Sequence, residues 1–265
     1  MMNAFEKSQS ENDRSHRVVA LLGSSSTAGR GQAFNWVEEL KRRPQNSNCQ
    51  FRNFGVGGDL SENALARLPS VLASRPDQIL VWIGANDVLA IAFAKFYRFA
   101  KWSKRLAHEP SPELFARNLR SIADRIKWES DAKLGLCSLA PIGEDPWATD
   151  PPQSILNRLV EHFNTVIRDV ANQMGASYIP VSETLSESLE HCPRHSLTEF
   201  HFLPFYRDAF RSIILRFDSE RIAALNGWCL HSDGVHLNRR SGLMVANLVQ
   251  AFIDADYRNP EHCVT

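Results

Sequence analysis

Short apolar runs alternate along the chain with longer amphipathic stretches. Five segments that contain such runs predict β-strands. They are RVVALLG (17–23), CQFRNFGVGG (49–58), QILVWIGAND (78–87), KLGLCSLAP (133–141) and ASYIPV (176–181). The third run is almost wholly apolar, which is typical of a strand that is covered on both faces.

The stretches between the strands have helical spacing. In the first of them Phe34, Val37 and Leu40 recur at intervals of three residues, with charged residues on the opposite side. The predicted helices cover residues 32–43, 61–75, 88–106, 111–129, 152–174 and 239–255. Strands that alternate with helices predict an α/β fold with a mainly parallel sheet and helices on both faces.

A single domain accounts for most of the chain. We predict this domain over residues 17–257, between a frayed N-terminus (1–16) and a C-terminal tail (258–265). Residues 182–232 break the alternation and predict a helical or irregular insertion that contains the aromatic-rich stretch EFHFLPFYRDAFRSIILRF. The chain has 265 residues, 43% of them hydrophobic, which is enough for a full core.

The charge balance and the apolar runs limit the partners. Lys+Arg and Asp+Glu both number 30, so the chain lacks the basic excess that broad nucleic-acid binding needs. The N-terminal MMNAFEKSQSENDRSH has no apolar signal core, and no run approaches the ~18 apolar residues of a membrane span. We therefore expect a cytoplasmic protein with no nucleic-acid partner and no integral membrane segment.

The cysteine pattern fits a reducing compartment. There are five cysteines and no CxxC motif, and Cys137 lies inside an apolar run. An odd number without regular spacing predicts reduced thiols and not a disulfide framework.

Glycine-rich polar groups follow the first three predicted strands. GSSST, GVGGD and GAND each begin where a strand ends. In a parallel α/β sheet ligands bind beyond the carboxyl ends of the strands, so these groups are expected at one edge. A phosphate-binding loop is excluded, because the chain has neither GK[ST] nor a GxGxxG followed by an acidic residue.

A serine nucleophile needs a base and a group that orients the base. In SDGVHLN (232–238) Asp233 lies three residues before His236, so its carboxylate can orient that imidazole. Gly58 and Asn86, at the ends of the next two strands, can donate N–H groups to an oxyanion. The spacing alone leaves open which of Ser24, Ser25 and Ser26 is the nucleophile.

Four blocks together resemble the SGNH subgroup of the GDSL esterase/lipase family. They are GSSSTAG (23–29), NFGVGGDLSENALARL (53–68), GAND (84–87) and DGVHLN (233–238), and they occur in the family's order. The resemblance implies a flavodoxin-like three-layer α/β/α sandwich with a five-stranded sheet of order 2-1-3-4-5. It also assigns Ser25 as the nucleophile, while Ser24 stands where the family usually has aspartate.

The resemblance further implies the remaining roles. His236 is the general base, Asp233 orients it, and the oxyanion donors are the Ser25 N–H, the Gly58 N–H and the Asn86 side chain. Asp87 is expected to be structural. The implied activity is serine-dependent hydrolysis of a small or medium acyl ester through an acyl-enzyme, with no metal and no organic cofactor.

Several alternatives remain open at this level. Within the enzyme class the substrate can be an ester, a thioester, a lysophospholipid or a carbohydrate ester. A degenerate hydrolase that only binds an acyl or glycan ligand is a different class of protein, for which Ser24 is the one argument. The insertion can also be a protein-interaction surface or a substrate lid, and the oligomeric state is open.

Two further groups of residues have a plain and a functional interpretation. Aromatic residues near the site either pack or line an acyl pocket; the pocket candidates are Phe96, Phe99, Phe202 and Phe205. Histidines and cysteines near the insertion suggest zinc, but their spacing matches no standard ligand pattern, so ordinary loop residues are favoured. These residues are His191, Cys192, His195, His201, Cys229 and His231.

Overall fold

The computed structural model describes residues 16–29, 34–198 and 227–255. In these residues β1 (Arg17–Gly23), β2 (Cys49–Gly55), β3 (Gln78–Trp82), β4 (Lys133–Cys137) and β5 (Ser177–Ile179) form one sheet. The order is β2-β1-β3-β4-β5, and each neighbouring pair is parallel. The predicted fold class and the strand order implied by the resemblance are confirmed.

The central strands are buried on both faces, as their continuous apolar sequences predict. Alternate side chains of β1 enter different cores: Ala20 and Leu22 pack on one side of the sheet, Val19 and Leu21 on the other. All four are 0% exposed. The edge strand β2 is only partly buried, which agrees with its more polar sequence.

Helices cover both faces and complete three layers. They are α1 (Ser25–Ala28), α2 (Trp36–Arg42), α3 (Ser61–Ala73), α4 (Ala85–Ala92), α5 (Ala94–Ser103), α6 (Pro112–Glu129), α7 (Gln153–Met174), α8 (Val181–Leu189) and α9 (Arg239–Asp254). Buried residues of α3 to α7 pack on the Ala20 side of the sheet, and those of α2, α8 and α9 pack on the Val19 side. No helix in the described ranges is long and apolar enough to cross a membrane.

Two helical segments differ from the sequence prediction. The helix predicted over 88–106 is divided at Phe93, whose extended backbone (φ −125°, ψ 107°) ends α4 and precedes α5. The predicted insertion begins with a regular helix, α8, because Val181, Leu185 and Leu189 bury one face at four-residue spacing. Residues 199–226 and both chain ends lie outside the described residues, so the predicted domain boundaries stay predictions.

The prediction that the cysteines are reduced is wrong for one pair. Cys192 and Cys229 form a disulfide, with their Cα atoms 6.0 Å apart. The two residues are 37 positions apart, and only the fold brings the end of α8 beside the segment that precedes α9. Cys49 and the buried Cys137 are free.

Removing this disulfide is expected to lower the stability of the fold. For the Cys192→Ser/Cys229→Ser variant we expect the free energy of unfolding to fall by about 2–4 kcal/mol, because the unfolded chain loses a cross-link over a long loop. The measurement is thermal unfolding without reductant. Cys49→Ser is the control, and an unchanged melting temperature in the double variant would contradict the prediction.

Candidate active site

Ser25 lies at the carboxyl end of β1, where the chain turns into the single helical turn α1. As the first residue of that turn, Ser25 has an N–H without an intrahelical acceptor. The carbonyl of Ser24 accepts from the N–H of Ala28 (2.9 Å) and closes the turn. The Oγ of Ser25 lies 2.9 Å from the Nε2 of His236, which belongs to a distant part of the sequence.

The segment 232–236, here called the Asp–His loop, is organised by the carboxylate of Asp233. Its Oδ1 accepts from the N–H groups of Val235 (2.9 Å) and His236 (2.7 Å). Its Oδ2 lies 2.6 Å from the Nδ1 of the His236 ring. This turn, in which an aspartate binds the backbone that follows it, explains how a three-residue spacing directs the carboxylate at the imidazole.

The hydrogen bonds around His236 select one tautomer. Because a carboxylate is an acceptor only, Nδ1 carries the hydrogen and the lone pair of Nε2 faces the Ser25 hydroxyl. Both side chains are largely buried, with 13% of His236 and 11% of Asp233 exposed. Ser25, His236 and Asp233 thus form one hydrogen-bonded chain, with the imidazole able to accept a proton from Ser25.

The electrostatics of the pair favour an imidazolium beside a carboxylate. Burial alone would raise the pKa of Asp233, but the charge of His236 and the hydrogen bonds from its ring and backbone lower that pKa to about 2. Burial alone would lower the pKa of His236, but the Asp233 carboxylate outweighs it and raises that pKa. A proton taken up by His236 is therefore stabilised by Asp233.

A glycine turn after β2 lies directly beside Ser25. A β-carbon placed on Gly57 would lie 4.0 Å from the Cβ of Ser25. Gly58 has a φ of +76°, which strains residues with a side chain, and a β-carbon there would lie 3.0 Å from the Cε of Lys104. The turn therefore presents bare backbone next to the Ser25 hydroxyl.

Asn86 lies in the first turn of α4, after β3, and is 6% exposed. Its Nδ2 donates to the carbonyl of Asp59, at 2.9 Å. Since an amide nitrogen carries two hydrogens, this bond fixes the side chain and leaves a second N–H for a ligand. The Asp59 carbonyl thereby ties Asn86 to the turn that contains Gly58.

Two cations, which the sequence analysis does not identify, bind the Asp59 carboxylate in this turn. The Asp59 carboxylate, in a residue 3% exposed, pairs with Arg67 and with Lys104, each at 2.8 Å. Arg67 also donates to the carbonyls of Phe54 and Gly23, at the ends of β2 and β1. One guanidinium thus connects the strand that leads to Ser25 with the glycine turn.

Asp87 holds the start of α3. Its carboxylate accepts from the N–H (2.9 Å) and the hydroxyl (2.6 Å) of Ser61, and Asn118 donates to that hydroxyl. Burial raises the pKa of Asp87 to about 7, against the lowering effect of the Ser61 hydrogen bonds. The contacts of this carboxylate are those of a helix-terminus anchor.

The remaining candidates fall into three groups. Phe96 packs in the core at 5% exposed, Phe99 is 40% exposed, and Phe202 and Phe205 lie outside the described residues. Their assignment to a substrate pocket stays a prediction.

Three of the metal candidates have other partners in the structure. Cys192 and Cys229 are bonded to each other, and His231 contacts Glu144 at 2.8 Å. The two cysteines are therefore not the ordinary loop residues that the sequence favours. Within the described part of the chain, no three His, Cys, Asp or Glu side chains are grouped to hold a metal ion.

A small cavity lies beside the Ser25 turn. It measures about 20 Å³, and its lining includes Ser24, Ser26, Ile142 and Val235. Two of these flank Ser25 and one precedes His236 in the sequence. The space holds about one water-sized group.

Comparisons with known proteins show the family of this chain. A sequence profile described as the GDSL-like lipase/acylhydrolase family matches residues 21–204. Esterase TesA of Pseudomonas aeruginosa is 25% identical over 169 residues, which cover 62% of this chain and 70% of TesA.

Solved structures share the fold. The acetylxylan esterase Axe2 of Geobacillus stearothermophilus superposes with a TM-score of 0.60 at 15% identity, covering 91% of this chain and 96% of Axe2. LAE5, an α/β hydrolase from the metagenome of Lake Arreo, superposes with a TM-score of 0.59 at 18% identity. The match covers 89% of this chain and 94% of LAE5. With a profile that matches most of its length, this chain belongs to the GDSL-like lipase/acylhydrolase family of carboxylic ester hydrolases.

Proposed function

We propose that this protein hydrolyses small acyl esters through a covalent acyl-enzyme on Ser25. The observation that carries the proposal is the hydrogen-bonded chain from Asp233 through His236 to the Ser25 hydroxyl. A serine hydroxyl is a weak nucleophile unless a positioned base removes its proton, and this chain supplies that base.

In the first half-reaction the Ser25 oxygen adds to the acyl carbonyl while its proton passes to the Nε2 of His236. The Asp233 carboxylate stabilises the resulting imidazolium. The tetrahedral intermediate collapses as the C–O bond to the alcohol breaks, and His236 gives its proton to the departing oxygen. In the second half-reaction water, deprotonated by His236, cleaves the Ser25 ester and releases the acid.

The negative oxygen of each tetrahedral intermediate needs donors that are already in place. The N–H groups of Ser25 and Gly58 and the second N–H of Asn86 are the proposed donors. Support comes from the position of the glycine turn beside Ser25 and from the bond that fixes Asn86 to Asp59. Each such donor typically contributes about 3 kcal/mol of transition-state stabilisation.

The raised pKa of His236 sets the expected pH dependence. Only neutral His236 can accept the Ser25 proton, so kcat/KM falls as the pH drops through the pKa of this residue. Because Asp233 raises that pKa, the acid limb is expected above the ordinary histidine value of about 6.5. The measurement is kcat/KM for an uncharged ester across the neutral range, and an acid limb below 6.5 would contradict the assigned pair.

The expected acyl preference is for short chains. The support for this preference is the structural relative Axe2, which is an acetylxylan esterase. We therefore expect kcat/KM to decrease from p-nitrophenyl acetate through butyrate to octanoate. A preference for octanoate would overturn the short-acyl proposal, and no turnover of any ester by folded protein would favour a ligand-binding role.

The cytoplasmic location stays a prediction from the sequence. The Cys192–Cys229 disulfide is a feature more typical of oxidising compartments than of the cytoplasm. Counting free thiols in protein isolated under alkylating conditions tests it. In a reducing cell all five cysteines should react, whereas protein that keeps the Cys192–Cys229 disulfide should show three reactive thiols.

A further inference from the structure

A second acid–histidine pair lies directly behind the Asp–His loop. Glu144, in the segment after β4, accepts from three successive backbone N–H groups, those of Cys229 (2.7 Å), Leu230 (2.7 Å) and His231 (2.9 Å). It also contacts the Nδ1 of the His231 ring, at 2.8 Å. Both side chains are 0% exposed.

The contacts of His231 indicate that its ring is charged. Its second ring nitrogen, Nε2, lies 3.0 Å from the carbonyl of Pro141. Both nitrogens thus face oxygen acceptors, and a neutral imidazole has a hydrogen on only one of them. A doubly protonated ring satisfies both contacts, and the Glu144 carboxylate balances its charge.

The carboxylate itself is held in its ionised form. Burial raises the pKa of Glu144, but the hydrogen bond and charge of His231 and the backbone donors outweigh it, so the net shift is downward. The rings of Trp228 and His231 also lie in an edge-to-face arrangement, with their centres 6.3 Å apart.

Both ends of the Asp–His loop are fixed by this pair and its neighbours. On the incoming side Glu144 binds residues 229–231 directly, and the N–H of Asn238 donates to the carbonyl of Leu230 (2.9 Å). Within the loop the N–H of Gly143, the residue before Glu144, donates to the carbonyl of Gly234 (2.7 Å). The segment that carries Glu144 is therefore hydrogen-bonded to the turn between Asp233 and His236.

We propose that Glu144 and His231 are positioning residues, a buried charged pair that holds the Asp–His loop so that His236 faces Ser25. The inference rests on the proposed esterase function, in which His236 is the base. Neither residue touches the reacting atoms. Their effect on turnover passes through the placement of Asp233 and His236.

The contacts that hold the Asp–His loop depend on the charges of Glu144 and His231. Removing one member of a buried ion pair leaves the charge of the other uncompensated, and this strongly destabilises the segment that carries it. In Glu144→Gln an amide N–H₂ would face donors where a carboxylate oxygen now accepts. We expect the loop to shift and the hydrogen bond between Asp233 and His236 to lengthen.

The test compares Glu144→Gln with Glu183→Gln, a partly buried carboxylate that accepts from Tyr178 at 2.8 Å and lies outside the loop. For Glu144→Gln we expect kcat for p-nitrophenyl acetate to fall about 10- to 100-fold with KM changed less than about threefold, since small misplacements of catalytic groups have effects of this size. Glu183→Gln is expected to keep wild-type kcat.

Nuclear magnetic resonance titration of the histidine rings supplies a readout that needs no turnover. In the wild type, both ring nitrogens of His231 should carry a hydrogen, because each faces an oxygen acceptor. In Glu144→Gln, the pKa of His236 should be lower than in the wild type, because Asp233 no longer supports it fully. This separates a failure of the positioning role from a failure of the esterase function.

Two results would overturn the proposal. One is a Glu144→Gln protein with a lower melting temperature but with wild-type kcat and an unchanged His236 titration. That result would mean that Glu144 has a purely structural role. The other is a neutral His231 in the wild type. If Glu144→Gln does not fold, Glu144→Asp is used instead, because it keeps the charge on a shorter side chain. We again expect a lower kcat and a lower pKa of His236, and the same two results would contradict the proposal.

Discussion

Replacing Ser25 with alanine is expected to lower kcat for ester hydrolysis by about 10⁶-fold, the scale seen when the nucleophile of a serine hydrolase is removed. The reason is that the Ser25 hydroxyl lies 2.9 Å from the Nε2 of His236, so alanine removes the group that this base activates. The measurement is the steady-state rate with p-nitrophenyl acetate, using protein free of wild-type enzyme.

The matched control for this variant is Ser26→Ala. Ser26 occupies the same turn and lines the small cavity, but its expected effect on kcat is less than about tenfold, because it does not start the proton transfer. Both variants should keep the wild-type melting temperature within a few degrees. Equal losses in the two variants, or wild-type turnover in Ser25→Ala, would contradict the assignment of Ser25.

Replacing Asp233 with asparagine is expected to lower kcat by about 10⁴-fold, as the corresponding change does in the serine protease triad. The asparagine oxygen can still accept from the N–H groups of Val235 and His236, which Asp233 now binds. Its N–H₂ group would then face Nδ1, so that nitrogen must become the acceptor. The hydrogen moves to Nε2, and His236 can no longer take the Ser25 proton.

The pH dependence distinguishes this effect from a loss of folding. Without the carboxylate the pKa of His236 loses its upward shift, so the acid limb of the residual activity is expected at lower pH than in the wild type. Asp124→Asn, on the exposed side of α6, is the control and should leave both kcat and the acid limb unchanged. An unmoved acid limb in Asp233→Asn would show that Asp233 is not the partner that sets this pKa.

The strands and most helices follow from local sequence patterns. β3 is recognisable because its sequence is almost wholly apolar, and all five of its residues are indeed buried. α2 is recognisable because its apolar residues recur on one side. The strand order does not follow from such patterns, because local periodicity does not say which strands lie next to each other in the sheet. The resemblance to a known family supplied it.

The limits of the sequence are clearest where distant segments meet. Glu144 and His231 are separated by 87 positions, and nothing local to either residue marks the contact. Arg67 reads as an ordinary helical cation, yet it donates to backbone carbonyls at the ends of β1 and β2. The Asp233–His236 spacing was informative because a single turn joins the two residues, so local geometry alone brings them together.

The central claim is that the acyl group is transferred to the Ser25 hydroxyl, and trapping the acyl-enzyme tests it most directly. Protein mixed with p-nitrophenyl acetate and quenched in acid within the first turnovers should carry one acetyl group on the peptide that contains Ser25, located by fragmentation mass spectrometry. The account predicts this label in the wild type and its absence in Ser25→Ala. Turnover with no acetyl group on Ser25, or with the label on Ser24 or Ser26, would contradict it.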